Sequence, residues 1–206
     1  LFIITTALWV PHWKSRTALA ERTLEWQTDN YVMLAFLGEE ALLEGDLESS
    51  KPLLEKALQD APIDLKYRHH IEYLLALWAG KSGQLNEAAS QLESILESHR
   101  SSNTTPPIHY LVQAAYIYDV HLDQTRKAES YLKSALDAPW DGNFSKDAAI
   151  RLADIYIKTH RTSQAIELLG FLAANYPGND EIIQKFRAIQ GIASINSPTH
   201  FAVQEK

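Results

Sequence analysis

His69 and His70 are the one adjacent pair of histidines in this chain, side chains that could bind a metal ion or relay a proton. Neighbours on a helix point about 100° apart, so the two cannot chelate one ion, and ordinary polar roles are the better reading. The remaining histidines, at positions 12, 99, 109, 121, 160 and 200, show no metal-ligand spacing. Glu39-Glu40 and Asp46/Glu48 supply carboxylates in helix and turn settings that read as solvated, not as an acid–base pair. No glycine-rich phosphate loop, GxSxG or HExxH is present. The chain has no cysteine, which removes disulfides, a thiolate nucleophile and Cys-ligated metal and leaves the redox compartment open. Asn103-Thr104-Thr105 and Asn143-Phe144-Ser145 fit the glycosylation triplet, which matters only on a eukaryotic secretory route. The residues therefore predict no enzyme, with no catalytic side chain, no cofactor and no metal.

Without a catalytic set, the informative signal is the pattern of elements. At 206 residues, with 46% apolar and 22% charged positions, the composition is that of a globular protein. The net charge of −7 is uneven: residues 1–103 carry 9 Lys/Arg against 15 Asp/Glu, while residues 104–206 carry 10 against 11. Nucleic-acid affinity rests on basic stripes, so a nucleic-acid partner is not expected.

The stretch from Tyr31 to Pro62 reads as a helix hairpin. Leu34, Leu37, Gly38 and Ala41 share one face; after a turn at Gly45-Asp46, Leu47, Leu54, Ala57 and Leu58 share another. Gly38 and Ala57 let the two backbones approach. The same layout recurs three more times. The turns fall at Gly45, Gly83, Asp123 and His160, separated by 38, 40 and 37 residues, each followed five positions later by Ser50, Ala88, Ala128 or Ala165. First-helix core positions are Leu37-Gly38, Leu75-Ala76, Ala115-Tyr116 and Leu152-Ala153; second-helix pairs are Leu54/Ala57, Leu92/Ile95, Leu132/Ala135 and Leu169/Leu172. Tyr116 stands where the other repeats carry a small residue, so the third hairpin is expected to be irregular. Pro52 lies inside a second helix, which must kink or begin near Ser49–Ser50. Residues 65–68 are read as lengthening a helix, and 101–108 and 139–145 as breaks between hairpins.

Four units in phase resemble a tetratricopeptide-repeat (TPR) array. The resemblance covers residues 31–178 and implies an all-α, right-handed α-solenoid of helix hairpins, with repeats at about 31–64, 69–102, 109–142 and 146–178. Residues 1–30 are then an apolar segment and a half repeat, in which Leu19, Thr23 and Leu24 are in phase. Residues 179–193 form a capping helix started by Asn179 or Asp180, with Ile182, Ile183, Phe186 and Ile189 inward, and residues 194–206 a loose tail.

In arrays of this family the first helices line a concave face. Carried onto this chain, the resemblance implies that His70, Tyr73, Leu77, Tyr110, Gln113, Ile117 and Asp154 point into it. Aromatic and aliphatic anchors with a few polar tips suit a peptide or a partner helix, so the expected function is a protein–protein interaction scaffold or adaptor. Internal packing of the same residues in a tight superhelix is the alternative. The Lys/Asn/Arg clamp by which some arrays grip a terminal carboxylate has no counterpart: the matching positions are Ala35, Glu39, Leu74, Tyr110 and Ala114.

The opening LFIITTALWV is uncharged and apolar for ten residues before Pro11. A membrane-spanning helix needs about 20 such residues, so this is either the tail of a span or an apolar helix that caps the solenoid. Trp9 and Trp13 followed by Lys14 and Arg16 suit a membrane–water boundary and equally a buried aromatic pair. The order of apolar tail, PHWKS, LAERTLEWQTDNY and LAFLGEEALLEG loosely resembles the junction in membrane proteins with C-terminal TPR arrays, some glycosyltransferase-like. That resemblance implies a membrane anchor and a catalytic part upstream of Leu1, with this chain as the accessory region. The expected localisation is membrane-associated, on a side the flanking charges do not choose, with soluble cytoplasmic as the alternative; the oligomeric state is open.

Overall fold

The computed structural model describes residues 15–62, 65–140 and 142–196. The readings of residues 1–14 as membrane tail or cap, and of the extreme C-terminal tail, lie outside these residues. Among the described residues there are ten α-helices: α1 (Arg16–Leu24), α2 (Tyr31–Glu44), α3 (Leu47–Asp60), α4 (Leu65–Lys81), α5 (Leu85–Ser101), α6 (Ile108–Tyr116), α7 (Thr125–Asp137), α8 (Asn143–Lys158), α9 (Thr162–Asn175) and α10 (Asp180–Asn196). None of the helices that could be searched is long and apolar enough to cross a membrane.

Local chemistry sets these boundaries. Ser15, Asn30 and Asp46 cap α1, α2 and α3 by accepting from the N–H of Ala18, Met33 and Ser49, and Asn179 accepts from the N–H of Ile182 at 3.2 Å to start α10. Each hairpin turn uses a left-handed residue: Gly45 at φ 86°, Gly83 at 84°, Asp123 at 50° and His160 at 59°. Helices commonly end this way, because the left-handed residue turns the next N–H back onto an orphan carbonyl of the last turn. Asp46, Gln84 and Arg161 donate back to Ala41, Ala79 and Tyr156, five residues earlier. Pro52 sits within α3 without breaking it, and the helix begins at Leu47, before the Ser49–Ser50 start that the proline suggested.

The described residues form two compact units, divided between Thr104 and Thr105. In the first, α1 packs on α2, α2 pairs with α3, α3 packs on α4, and α4 pairs with α5. The repeated small position is a contact point: Ser50 is fully buried and its hydroxyl donates to the carbonyl of Gly38 at 2.7 Å. A Cβ at Gly38 would stand 2.7 Å from Leu54 side-chain carbons, so only glycine allows this approach. The indole N–H of Trp78 donates to the Leu47 carbonyl at 2.8 Å and the Lys81 ammonium to the Leu42 carbonyl at 3.1 Å, tying α4 to the preceding hairpin. In α1 the buried residue is Ala20, while Leu19, expected to face inward, is exposed. The two are sequence neighbours about 100° apart on the helix, and the covered side is the one that carries Ala20.

In the second unit α6 pairs with α7, α7 packs on α8, α8 pairs with α9, and α9 packs on α10. Ala128 and Ala165 fill the small position, both fully buried, and Leu132, Ala135, Leu169 and Leu172 form the second-helix core. Ile182 and Ile189 bury the inner side of α10. Lys185 on α10 donates to both Asp154 carboxylate oxygens at 2.7 Å.

Irregularity does appear at Tyr116. There α6 passes into a π-helical turn over Ile117–His121, and the closing bond runs from the N–H of Gln124 to the carbonyl of Tyr118 at 2.7 Å, six residues back instead of five. One extra residue has been accommodated in the turn.

Candidate functional site

In the first unit the His69-His70 pair divides. His69 is buried and its ring meets that of His99 on α5 at 4.8 Å. Burial, then the neighbouring imidazole, holds His99 below the usual histidine pKa. His99 Nδ1 lies 2.9 Å from the Thr104 hydroxyl, which ties the end of α5 to the residues that follow it. No group of three or more His, Asp or Glu able to hold a metal occurs among the described residues.

His70 lies on the other side of α4, with Nε2 3.8 Å from a Glu39 carboxylate oxygen of α2, a contact that gains charge only when the imidazole is protonated. Tyr67 meets His70 edge-on at 6.3 Å and Tyr31 meets Tyr67 at 5.5 Å. Burial, then Tyr31 and Glu39, raise the Tyr67 hydroxyl pKa, so it remains a proton donor. Tyr73 and Leu77 are half-buried against the Leu42, Leu54 and Leu74 cluster. The first-helix face of this unit therefore has a polar aromatic edge at His70 and an apolar floor at Tyr73 and Leu77.

The second unit holds a cleft, open to solvent, beside the π turn. Tyr116, Asp119 and Val120 line it from the α6 side, Arg151, Asp154 and Ile155 from α8, with Ala115 and Leu132 below. The Arg151 guanidinium is held over the Tyr116 ring, 5.0 Å from its centre, and its Nε donates to Asp147 at 2.9 Å. Lys158 neutralises Asp119 at 3.0 Å, and that carboxylate also accepts from the Thr125 hydroxyl at 3.0 Å. Its hydrogen bond to Asp119 raises the Lys158 pKa and keeps the ammonium charged. Lys185 pairs with Asp154 in the same way. The cleft thus has Val120 and the Tyr116 ring as its apolar lining inside a rim of paired charges, while Ala115, Leu132 and Ile155 beneath are almost fully buried. It can grip an aliphatic or aromatic side chain and orient a polar backbone; it holds no activated nucleophile.

Of the expected partner-binding residues in this unit, Asp154 lines the cleft and Gln113 is half-buried. Tyr110 and Ile117 are 3% and 1% exposed, so they offer a partner almost no surface. Val120, 55% exposed, is the accessible aliphatic group. Tyr110 and Ile117 lie before the π turn or at its start and are covered by the packed helices around them, which spacing along one helix does not reveal. Of the lining residues that were missed, Asp119 lies inside the π turn, where the register departs from an unbroken α-helix; Tyr116 and Arg151 meet across two helices, and the one sequence signal was the bulky residue at 116.

No protein-family model matches the chain, and no curated protein matches it in sequence. Solved structures do match in fold. BtubC (BKLC) from P. vanneervenii superposes with a TM-score of 0.71 at 18% identity, over 86% of this chain and 80% of that one. A tetratricopeptide repeat protein from Parabacteroides merdae gives 0.66 at 19% identity, over 80% and 60%. A thermophilic TPR protein from Thermus thermophilus gives 0.62 at 17% identity, over 92% and 96%. The fold is a TPR-like, all-α solenoid of consecutive hairpins.

Proposed function

We propose that this TPR-like chain is a non-catalytic interaction module that holds a peptide or helix of another protein on the first-helix faces of its hairpins. In the second unit the seat is the cleft beside the π turn; in the first it is the edge formed by His70 above Tyr73 and Leu77. The observation that carries the reading is the cleft itself, which an exposed Val120 and a fixed Tyr116–Arg151 pair both line. π turns interrupt helices at a cost in backbone regularity and occur frequently at functional sites. Aromatic and arginine side chains anchored by their neighbours are the residues that most often carry interface energy.

The test uses the whole chain. A random peptide library is panned against it, and enriched peptides are titrated against the wild type, Val120→Arg, Tyr116→Ala and the surface control Glu167→Ala. We expect Val120→Arg and Tyr116→Ala to weaken binding at least about tenfold with an unchanged helical circular-dichroism spectrum, and Glu167→Ala to bind as the wild type does. Failure to enrich any peptide, or equal binding by all the variants, would remove the cleft as the seat.

A further inference from the structure

Away from the cleft, the second unit exposes aromatic rings in contact with one another. Trp140 precedes α8, Phe171 lies in α9 and Tyr176 just follows it; Trp140 is 45% and Phe171 52% exposed. Trp140 stands edge-to-face with Phe171 at 6.0 Å and near-parallel to Tyr176 at 6.5 Å. Its indole N–H donates to the Tyr176 hydroxyl at 3.1 Å, which fixes both rings. The Lys146 ammonium lies over the Tyr176 face, 5.6 Å from its centre, within 3.4 Å of Asn143 Oδ1, and has no carboxylate partner among the described residues.

We propose that this patch binds a proline-rich segment carrying an acidic residue. The argument is one of complementarity. The rings present fixed faces on which prolyl rings pack, and a proline-rich chain brings a preformed extended helix with little order left to lose. The unspent polar groups are donors: the Tyr176 hydroxyl has accepted from Trp140 and keeps its own hydrogen, and Lys146 is a cation. Proline segments supply carbonyl acceptors and no N–H, so neither side is left with an unmatched group. A carboxylate on the ligand meets Lys146. Carbohydrates also stack on tryptophan, but their hydroxyls bring donors as well, and the nearby amide oxygen of Asn143 is already engaged by Lys146.

The probe is a fluorescein-labelled peptide of consecutive prolines closed by two aspartates, titrated against the whole chain by anisotropy. Comparison peptides are the same prolines closed by lysines and a glycine–serine peptide closed by aspartates. We expect the proline–aspartate peptide to bind tightest, Trp140→Ala to weaken it at least about tenfold, and Tyr176→Phe, which keeps the ring and removes the donor, to weaken it about three- to tenfold. Lys146→Met should erase the preference for aspartate over lysine. The cleft variant Val120→Arg should bind this peptide normally, which separates this site from the proposed cleft. The proposal is overturned if the glycine–serine peptide binds equally well, or if Trp140→Ala and Tyr176→Phe both bind as the wild type does. A dimer in sedimentation that Trp140→Ala dissolves would also overturn it, by assigning the patch to self-association.

Discussion

Glu129 on α7 accepts from both terminal nitrogens of Arg161, at 2.7 and 2.6 Å, and is approached by Lys133 at 2.7 Å. Those bonds, the arginine's foremost, hold its carboxyl at about 2, against burial that acts in the opposite direction. Arg161 in turn lies over the Tyr156 ring at 4.6 Å, so the pair fixes the start of α9 against the preceding hairpin. A carboxylate with a depressed folded pKa stabilises the fold fully above its unfolded value and loses that contribution as pH falls through the folded value. For Glu129 the window runs from 4.5 down to about 2. Glu129→Gln is expected to cost about 1–2 kcal/mol near neutrality. The cost should shrink as pH falls from 4.5 towards about 2, because the unfolded chain's carboxyl protonates first and the folded one only near the lower value. Urea denaturation of both proteins at about pH 7 and about pH 3 measures the difference; a constant gap would show that the charge is not what stabilises the contact.

Among the helices, α6 is the one whose geometry departs from the repeat. The extra residue in its π turn separates the Gln124–Tyr118 closure by six positions, where the other hairpins need five. Removing Val120, which is 55% exposed, should therefore let α6 run on as a regular α-helix into the same turn. Expected is a change in unfolding free energy within about 1 kcal/mol, whereas deleting a residue within the regular part of α6 should unfold the second unit. The same deletion should abolish peptide binding at the cleft. Calorimetry of the two deletions checks the first expectation. If the Val120 deletion unfolds the unit, the turn is required by packing and the functional reading of it weakens. The turns themselves were legible: the alignment of Gly45, Gly83, Asp123 and His160 placed each at what proved to be a left-handed residue.

At the level of the molecule, helices in each unit pack on their sequence neighbours, so stability is close to a sum of local and nearest-neighbour terms. Ile182 is fully buried where α10 covers α9. Ile182→Ala is expected to cost about 2–4 kcal/mol, visible as faster hydrogen exchange in α8, α9 and α10, with protection in α2 and α3 unchanged. Equal loss throughout the chain would mean that stability is shared globally and not passed from hairpin to hairpin.

Periodicity determined the hairpins. Ser50, Ala88, Ala128 and Ala165, and the second-helix pairs from Leu54/Ala57 to Leu169/Leu172, were all assigned from spacing and are all buried. Such positions are readable because a helix repeats its face at a fixed interval and only small or apolar side chains fit where two backbones meet. The cleft, the burial of Tyr110 and Ile117, the separate fates of His69 and His70, and the contact of Trp140 with Tyr176 across 36 positions were not readable in this way. They depend on which side chains meet across elements, and in α6 on a single inserted residue that rotates everything after it. Local spacing carries no record of either until the helices have packed.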